Sequence, residues 1–136
     1  MTIKSTSSFQ KDIDNLTERE KYGYSSIRLD IRKHFANINF ESFLNNSLNL
    51  YDNPDFRLFK IRLPNSGQNI GKSGGFRLIC IADKTNKIAV LLHVYPKKGK
   101  MGKEDIDDKH INLLLEDYDR QKNELLDWVE PQEPAV

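Results

Sequence analysis

The sequence is poor in groups that support metal or disulfide chemistry. Cys80 is the single cysteine among 136 residues, so neither an internal disulfide nor a CxxC zinc motif can form. It lies in the apolar run 78–82, which predicts a buried packing role, because reactive thiols need an exposed electropositive setting. The three histidines, His34, His93 and His110, show no ligand spacing. We therefore expect no metal site and no cofactor.

Long apolar runs are also missing. No stretch approaches the roughly 20 residues that cross a bilayer, and residues 1–8 lack the apolar region of a secretory signal. Hydrophobic residues make up 38% of the chain and charged residues 30%, a balance typical of soluble globular proteins. We expect a single domain over residues 1–136, located in the cytoplasm without membrane contact, with a short frayed tail at 130–136.

The net charge is only +1, but basic and acidic residues are concentrated in different parts of the chain. Residues 1–55 carry 7 basic and 8 acidic groups, residues 56–103 carry 11 and 1, and residues 104–136 carry 3 and 11. The basic groups of the middle third are interleaved with strand apolars, which favours a positive patch on a folded surface that attracts phosphate. The alternative is that both charged segments are ordinary solvated faces.

Helical spacing dominates the first 55 residues. An edge strand is expected near residues 2–6, and Asn53-Pro54 is expected to end the helical region. Three apolar sets predict the helices: Phe9, Ile13 and Leu16 after an N-cap at Ser8; Ile27, Ile31, His34 and Phe35 after Ser25 or Ser26; and Phe40, Phe43, Leu44 and Leu48.

From Phe56 the period changes to two, which is typical of strands. Residues 56–63 alternate between an apolar and a mostly cationic face, residues 65–75 form a loop with four glycines, and residues 76–83 and 87–95 form a hairpin. The fold class is therefore α+β: an N-terminal strand and helices, then a small antiparallel sheet and a C-terminal helix.

The C-terminal helix is expected to begin near Asp105 or Asp107, because an acidic first turn suits the positive end of the helix dipole. We expect this helix to pack back on the sheet. Its predicted apolar stripe consists of Ile111, Leu114, Leu115, Tyr118, Leu125 and Trp128.

Cationic side chains on neighbouring strands can share one face of this sheet. Lys60 and Arg62 lie on one side of the first strand, Arg77 begins the second, and His93 and Tyr95 share a side of the third. Glycines before Arg77 allow a polymer backbone to approach closely. The pattern predicts a polycationic concavity with one phenol, against the alternative of isolated solvated cations. His93 is either a half-buried packing residue or part of the floor of this surface.

The loop segment 67–73 is similar to a phosphate-binding P-loop but departs from it. Three residues rather than four separate its glycines, and a strand rather than a helix follows. We therefore do not expect nucleotide hydrolysis, although Lys72 and the glycine amides can contact phosphate.

Three segments together carry a resemblance to a known family. LFKIRL at 58–63, GKSGGFRLI at 71–79 and LLHVYPKK at 91–98, followed by Asp105-Ile106, resemble RelE/HigB-type toxins of bacterial type II toxin–antitoxin systems, in the RelE/ParE superfamily. The match covers residues 56 to 120, approximately. It implies a RelE-like fold and a metal-independent mRNA endoribonuclease that acts on the translating ribosome and is silenced by a cognate antitoxin. A ParE-like toxin that blocks gyrase, or an inactive RNA-binding module, is the alternative.

The resemblance also implies roles for the cations. Lys60 and Arg62 match the paired cations of the family's first core strand, and Arg77 matches the arginine after the glycine turn. A lysine can act as a base only where neighbouring cations and partial burial favour its neutral form, and Lys60 beside Arg62 is arranged for this. As an exposed sheet cation, Arg77 is expected to contribute little to stability. A further family cation, for RNA binding, corresponds to Lys97, Lys98 and Lys100.

Two tyrosines are candidates for the general acid. Family members present a tyrosine on the final helix, and Tyr118 lies there but within the predicted buried stripe. Tyr95 is the alternative.

Overall fold

Six strands and four helices make up the computed structural model, which describes residues 1–45, 48–103 and 105–128. No helix in these ranges is long and apolar enough to cross a membrane. The strands are β1 (Ile3–Ser5), β2 (Leu48–Asp52), β3 (Phe56–Leu63), β4 (Phe76–Asp83), β5 (Ile88–Pro96) and β6 (Leu126–Asp127). The helices are α1 (Ser7–Thr17), α2 (Ile27–Phe35), α3 (Phe40–Leu44) and α4 (Asp108–Gln121), with 3₁₀ turns at Glu20–Tyr22 and Ser66–Gln68.

The three central strands follow the predicted alternation. β3 pairs antiparallel with β4 along its whole length, and β4 pairs with β5. The β4–β5 turn is tight because the Asp83 carboxylate accepts hydrogen bonds from the backbone N–H groups of Thr85 and Asn86, both at 3.0 Å. Cys80 is fully buried in β4, as predicted. The predicted strands and their hairpin are confirmed.

β1 lies inside the sheet rather than at its edge. The strand order is β2-β3-β4-β5-β1-β6. β1 pairs in parallel with β5, with Ile3 opposite Ala89, and antiparallel with β6. Parallel neighbours need a long connection, and here it runs through the three helices and β2 to β4. The prediction of a β1 edge strand is therefore wrong. The predicted antiparallel arrangement is correct for β2 to β5, but the parallel pairing of β1 with β5 makes the whole sheet mixed.

The helices α1, α2 and α3 cover one face of the sheet. The predicted Phe9 and Ile13 of α1, like Ile27 and Ile31 of α2, are fully buried in this core. The N-cap of α1 is Thr6, whose hydroxyl oxygen accepts a hydrogen bond from the Phe9 N–H at 3.2 Å. The predicted Ser8 cap is wrong. The apolar core on this face also contains Phe43, Phe59, Leu78, Leu91 and Trp128.

The third predicted helix is only partly correct. α3 ends at Leu44, and Leu48 begins strand β2, which pairs antiparallel with β3. Leu48 fits a helical repeat with Phe40 and Phe43, but its side chain is exposed rather than buried. Edge pairing with β3 decides the conformation here, because it supplies backbone hydrogen bonds that a lone exposed helical turn would not.

α4 covers part of the opposite face. Asp107 is its N-cap and accepts a hydrogen bond from the His110 N–H at 2.8 Å, within the predicted start. Leu114 and Tyr118 pack there with sheet residues such as Ile81. Trp128 lies beyond the helix and packs edge-on against Phe9, in the apolar core on the other face of the sheet. The prediction that Trp128 belongs to the apolar stripe of this helix is therefore wrong. The predicted frayed tail, 130–136, lies outside the described residues.

Candidate nucleic-acid interface

The sheet register brings together four predicted site residues, which we call the basic cluster: Lys60, Arg62, Arg77 and Tyr95. Arg62 lies opposite Arg77 across β3 and β4, and Arg77 lies opposite Tyr95 across β4 and β5. Lys60 shares their face because it is two residues from Arg62 on the same strand. Directly opposed residues have Cβ atoms about 5 Å apart. Three strands thus present three cations and one phenol within a single small area.

Arg77 is buried, with 5% of its surface exposed, and it organises the glycine-rich loop. Its guanidinium donates hydrogen bonds to the carbonyl oxygens of Lys72 and Ser73, each at 2.8 Å, and of Phe76 at 3.1 Å. Burial, and then the charge of Arg62, lower the pKa of Arg77. The prediction that Arg77 is exposed and contributes little to stability is therefore wrong, because its guanidinium donates hydrogen bonds to three carbonyl groups.

Lys60 is largely covered and forms an ion pair that the sequence reasoning missed. Its ammonium lies 3.0 Å from Oδ1 of Asp105, a residue 45 positions away, and 15% of the lysine side chain is exposed. The hydrogen bond from Lys60, and then the one from the Ile106 N–H, lower the pKa of Asp105. A carboxylate therefore occupies the position beside Lys60 where a phosphate oxygen would bind. Its only sequence signal was an acidic residue after the lysine-rich stretch.

Tyr95 is the tyrosine that belongs to the basic cluster. Its side chain is 3% exposed, and its hydroxyl forms no hydrogen bond within the described residues. Burial, and then the nearby charge of Asp105, raise the pKa of Tyr95 to about 12, so the phenol is neutral at pH 7. Tyr118 instead packs against Phe56 at the far end of β3, six residues and about 20 Å along the strand from Arg62.

The lysine-rich turn after β5 is held against the glycine-rich loop. The Lys97 N–H donates a hydrogen bond to the Gly75 carbonyl at 2.8 Å, and the Tyr24 hydroxyl donates to the Lys98 carbonyl at 3.0 Å. A Cβ atom at Gly74 would lie 3.2 Å from the Lys98 ammonium. Lys97 also acts electrostatically on Asp105. Lys97 therefore lies close enough to act on Asp105 beside Lys60, and Lys98 lies against the glycine-rich loop.

Two other predicted RNA-binding lysines lie elsewhere. The charge of Lys72 acts on His34 of α2, and it lowers the pKa of His34 after the larger effect of burial. Lys100 lines a shallow depression with Glu18 and Arg19 beyond the end of α1. Both lysines are exposed; the Lys72 backbone contacts Arg77 of the basic cluster, but its side-chain charge acts on His34, and Lys100 lies beside α1.

His93 is buried and contacts a carboxylate, and it is not part of the open surface of the sheet. It is 9% exposed, and its Nδ1 lies 2.7 Å from Oδ2 of Asp12 on α1. An ionised carboxylate only accepts hydrogen bonds, so this contact places the proton on Nδ1. The ring lies 5.5 Å from Tyr95 and 4.7 Å from His110, between centroids. Asp12 is 81 residues away in sequence, and no local pattern joined it to His93.

The described residues hold no group of three His, Cys, Asp or Glu side chains placed to bind a metal ion. The chemistry available at the basic cluster is that of ammonium, guanidinium and phenol groups.

Comparison with known proteins gives no relative. No protein-family model, curated protein or solved structure matches the chain. Inference about function therefore depends on the residues of this chain and on their geometry.

We expect Asp105→Asn to increase RNA affinity. The substitution keeps the side-chain shape but removes the anion beside Lys60, so a single-stranded RNA oligonucleotide should bind about fivefold more tightly at low salt. Asp108→Asn is the matched control, because Asp108 is exposed on the same segment and forms no ion pair among the described residues. Fluorescence anisotropy measures both. Equal changes in the two variants would contradict a specific role for the Asp105 carboxylate.

Proposed function

We propose that this protein is the toxin of a type II toxin–antitoxin system and a metal-independent endoribonuclease that cuts mRNA on the ribosome. The observation that carries the proposal is the register of Arg62, Arg77 and Tyr95 on three adjacent strands, with Lys60 on the same face. Catalysis by positioned cations and a phenol suits RNA, because its 2′-hydroxyl supplies the nucleophile. The family resemblance supports the same proposal and a RelE-like fold. We also propose a cytoplasmic location, from the lack of long apolar runs in the sequence.

The proposed reaction needs a base, an acid and cations. The ribose 2′-oxygen attacks the adjacent phosphorus and loses its proton to the base, while the bond from phosphorus to the 5′-oxygen breaks. The products are a 2′,3′-cyclic phosphate and a 5′-hydroxyl end. Lys60 is the proposed base: after RNA displaces Asp105, its ammonium releases a proton to solvent, and the neutral amine then accepts the proton of the 2′-hydroxyl. Arg62 is exposed and can contact the equatorial phosphate oxygens, which carry the developing charge.

Tyr95 is the proposed acid for the leaving 5′-oxygen. A phenol with a pKa of about 12 keeps its proton at neutral pH and can donate it to an alkoxide. Arg77 holds the glycine-rich loop and adds positive charge to the site. Lys97 and Lys98 would contact the RNA backbone next to the cleaved bond. A cognate antitoxin is the partner that this function requires.

Inducible expression in bacteria tests the proposal. We expect growth arrest within one generation and new mRNA 5′ ends, mapped by primer extension, that carry a 5′-hydroxyl and ligate to an adaptor only after phosphorylation. Co-expression of the adjacent open reading frame should restore growth if it encodes the antitoxin.

Two outcomes would contradict the nuclease proposal in different ways. Growth arrest with DNA damage and without new mRNA ends would indicate a ParE-like toxin that blocks gyrase. RNA binding without arrest and without cleavage would indicate an inactive RNA-binding module.

A further inference from the structure

A small cavity lies beside the basic cluster, between α1 and the last residues of β5. Its volume is about 150 Å³. β1 ends at Ser5, opposite Leu91, so beyond that point α1 rather than a strand lies next to β5. We call the cavity the His93 pocket. Its principal lining residues are Asp12, Asn15, His93, Tyr95, Met101 and Lys103.

A β-bulge brings His93 to the face of the basic cluster. Leu91 and His93 lie opposite adjacent residues of β4, so Leu92 between them is an extra residue in β5. A regular strand would put His93 on the face of Leu91, which packs in the core under the helices α1 to α3. The bulge instead puts His93 on the face of Tyr95. Bulges commonly re-aim a side chain next to an active site.

The His93 ring has one nitrogen without a partner. Its Nδ1 donates to Oδ2 of Asp12 at 2.7 Å, whereas its Nε2 is buried and forms no hydrogen bond with any described residue. The residue as a whole is 9% exposed. In the neutral imidazole, Nε2 is a hydrogen-bond acceptor. Because buried polar groups normally have a partner, a donor supplied from outside would complete this one.

The need for a donor selects the kind of ligand. A phosphate group does not suit the pocket, because its charged oxygens only accept hydrogen bonds and the carboxylate of Asp12 lies beside the ring. A nucleobase suits it, since all four RNA bases carry an N–H donor on the edge of a flat ring. A cavity of this volume accommodates one aromatic ring.

The walls of the His93 pocket also suit a flat ring. The ring planes of His93 and Tyr95 differ by only 30°, with centroids 5.5 Å apart, and bases stack on such aromatic side chains. Met101 adds apolar surface. Asn15 and Lys103 are exposed at the rim, where an amide can both donate and accept and an ammonium can contact phosphate.

We infer that the His93 pocket holds one base of an RNA strand, next to the bond that is cut. Tyr95 belongs both to the basic cluster and to the wall of the pocket, so a phosphate bound at the cluster brings a neighbouring base to the pocket. Taking RNA as the ligand rests on the proposed function. Cleavage does not enter, because we assign no step of the reaction to Asp12, Asn15 or His93.

Titration of the ¹⁵N-labelled protein with the four nucleoside 5′-monophosphates tests this base pocket. We expect saturable shifts of the His93 imidazole and Asn15 amide signals, with millimolar affinity for at least one nucleotide. Ribose 5-phosphate carries the same phosphate without a base, so it should bind at least tenfold more weakly. A failure to saturate with every nucleotide, or equal affinity for ribose 5-phosphate and all four nucleotides, would overturn the inference.

Variants separate the pocket from general attraction to phosphate. Asn15→Trp blocks the rim and should weaken binding of the tightest nucleotide at least fivefold. Asn112→Trp makes the same change at an exposed position of α4 that does not line the pocket, so it should have no effect. His93→Phe keeps a flat ring without Nε2 and should cost at least threefold. Equal losses in the two tryptophan variants, each checked for a folded amide spectrum, would contradict a base pocket.

Cleavage mapping distinguishes failure of the pocket from failure of the nuclease proposal. Nucleotide binding that depends on the base, without mRNA cleavage by the wild type, would support the pocket and contradict the nuclease. Cleavage with the same base preference beside the cut in the wild type and in Asn15→Trp would support the nuclease and overturn the pocket.

Discussion

Replacing Gly75 with alanine is expected to destabilise the protein by about 3 kcal/mol or more. A Cβ atom at this position would overlap the carbonyl oxygen of Leu63 and lie 2.7 Å from the backbone nitrogen of Asn65. These are backbone atoms at the end of β3, so they cannot move aside without disrupting the β3–β4 pairing next to Arg62. Urea unfolding followed by circular dichroism measures the loss.

Gly71 provides the matched control for Gly75. It lies in the same loop, and a Cβ atom there would meet no atom within 4 Å. Gly71→Ala should therefore change the free energy of unfolding by less than about 1 kcal/mol. If Gly75→Ala is as stable as Gly71→Ala, the close approach of the loop to β3 does not constrain this position.

Replacing Lys60 with methionine is expected to reduce RNA cleavage at least about a hundredfold, the usual effect of losing a general base. Methionine keeps an unbranched apolar side chain but removes the amine that accepts the proton in the proposed reaction. The fold should persist, because Asp105, the partner of Lys60, is 67% exposed and remains solvated when left alone. Cleavage of a reporter mRNA, measured at equal concentrations of folded protein, gives the ratio.

Lys72→Met separates a specific role of Lys60 from the overall positive charge. Lys72 belongs to the same basic segment and is exposed; only its backbone carbonyl contacts Arg77, while its side-chain charge acts on His34. We expect Lys72→Met to reduce cleavage by less than about fivefold, through weaker RNA attraction alone. Equal losses in the two variants would remove Lys60 from the proposed mechanism.

The secondary structure was predictable where the pattern of apolar residues is local and strong. The alternation in β3 and β4, and the four-residue spacing of Phe9 and Ile13, each report burial on one side of an element. β2 was not predictable in this way. Its side chains are at most half-buried, so its residues carry no alternation, and its pairing with β3 is a long-range contact.

The candidate site, like the secondary structure, was predictable only where the pattern of side chains is local. Strand alternation was enough to place Lys60 and Arg62 on one face, and their register with Arg77 and Tyr95 agrees with that expectation. The burial of Arg77 was not foreseeable, because it follows from hydrogen bonds to loop carbonyls that exist only when the glycine-rich loop folds over it.

By itself, the sequence determined an α+β chain with a basic, glycine-containing run of strands, because charge and side-chain alternation are local properties. The tertiary structure alone decided which groups oppose those charges. Asp105 reaches Lys60 from 45 residues away, and Asp12 reaches His93 from 81. It also decided that Tyr95 rather than Tyr118 joins the cations, because the strand register, and not residue type, determines which end of the sheet each tyrosine occupies.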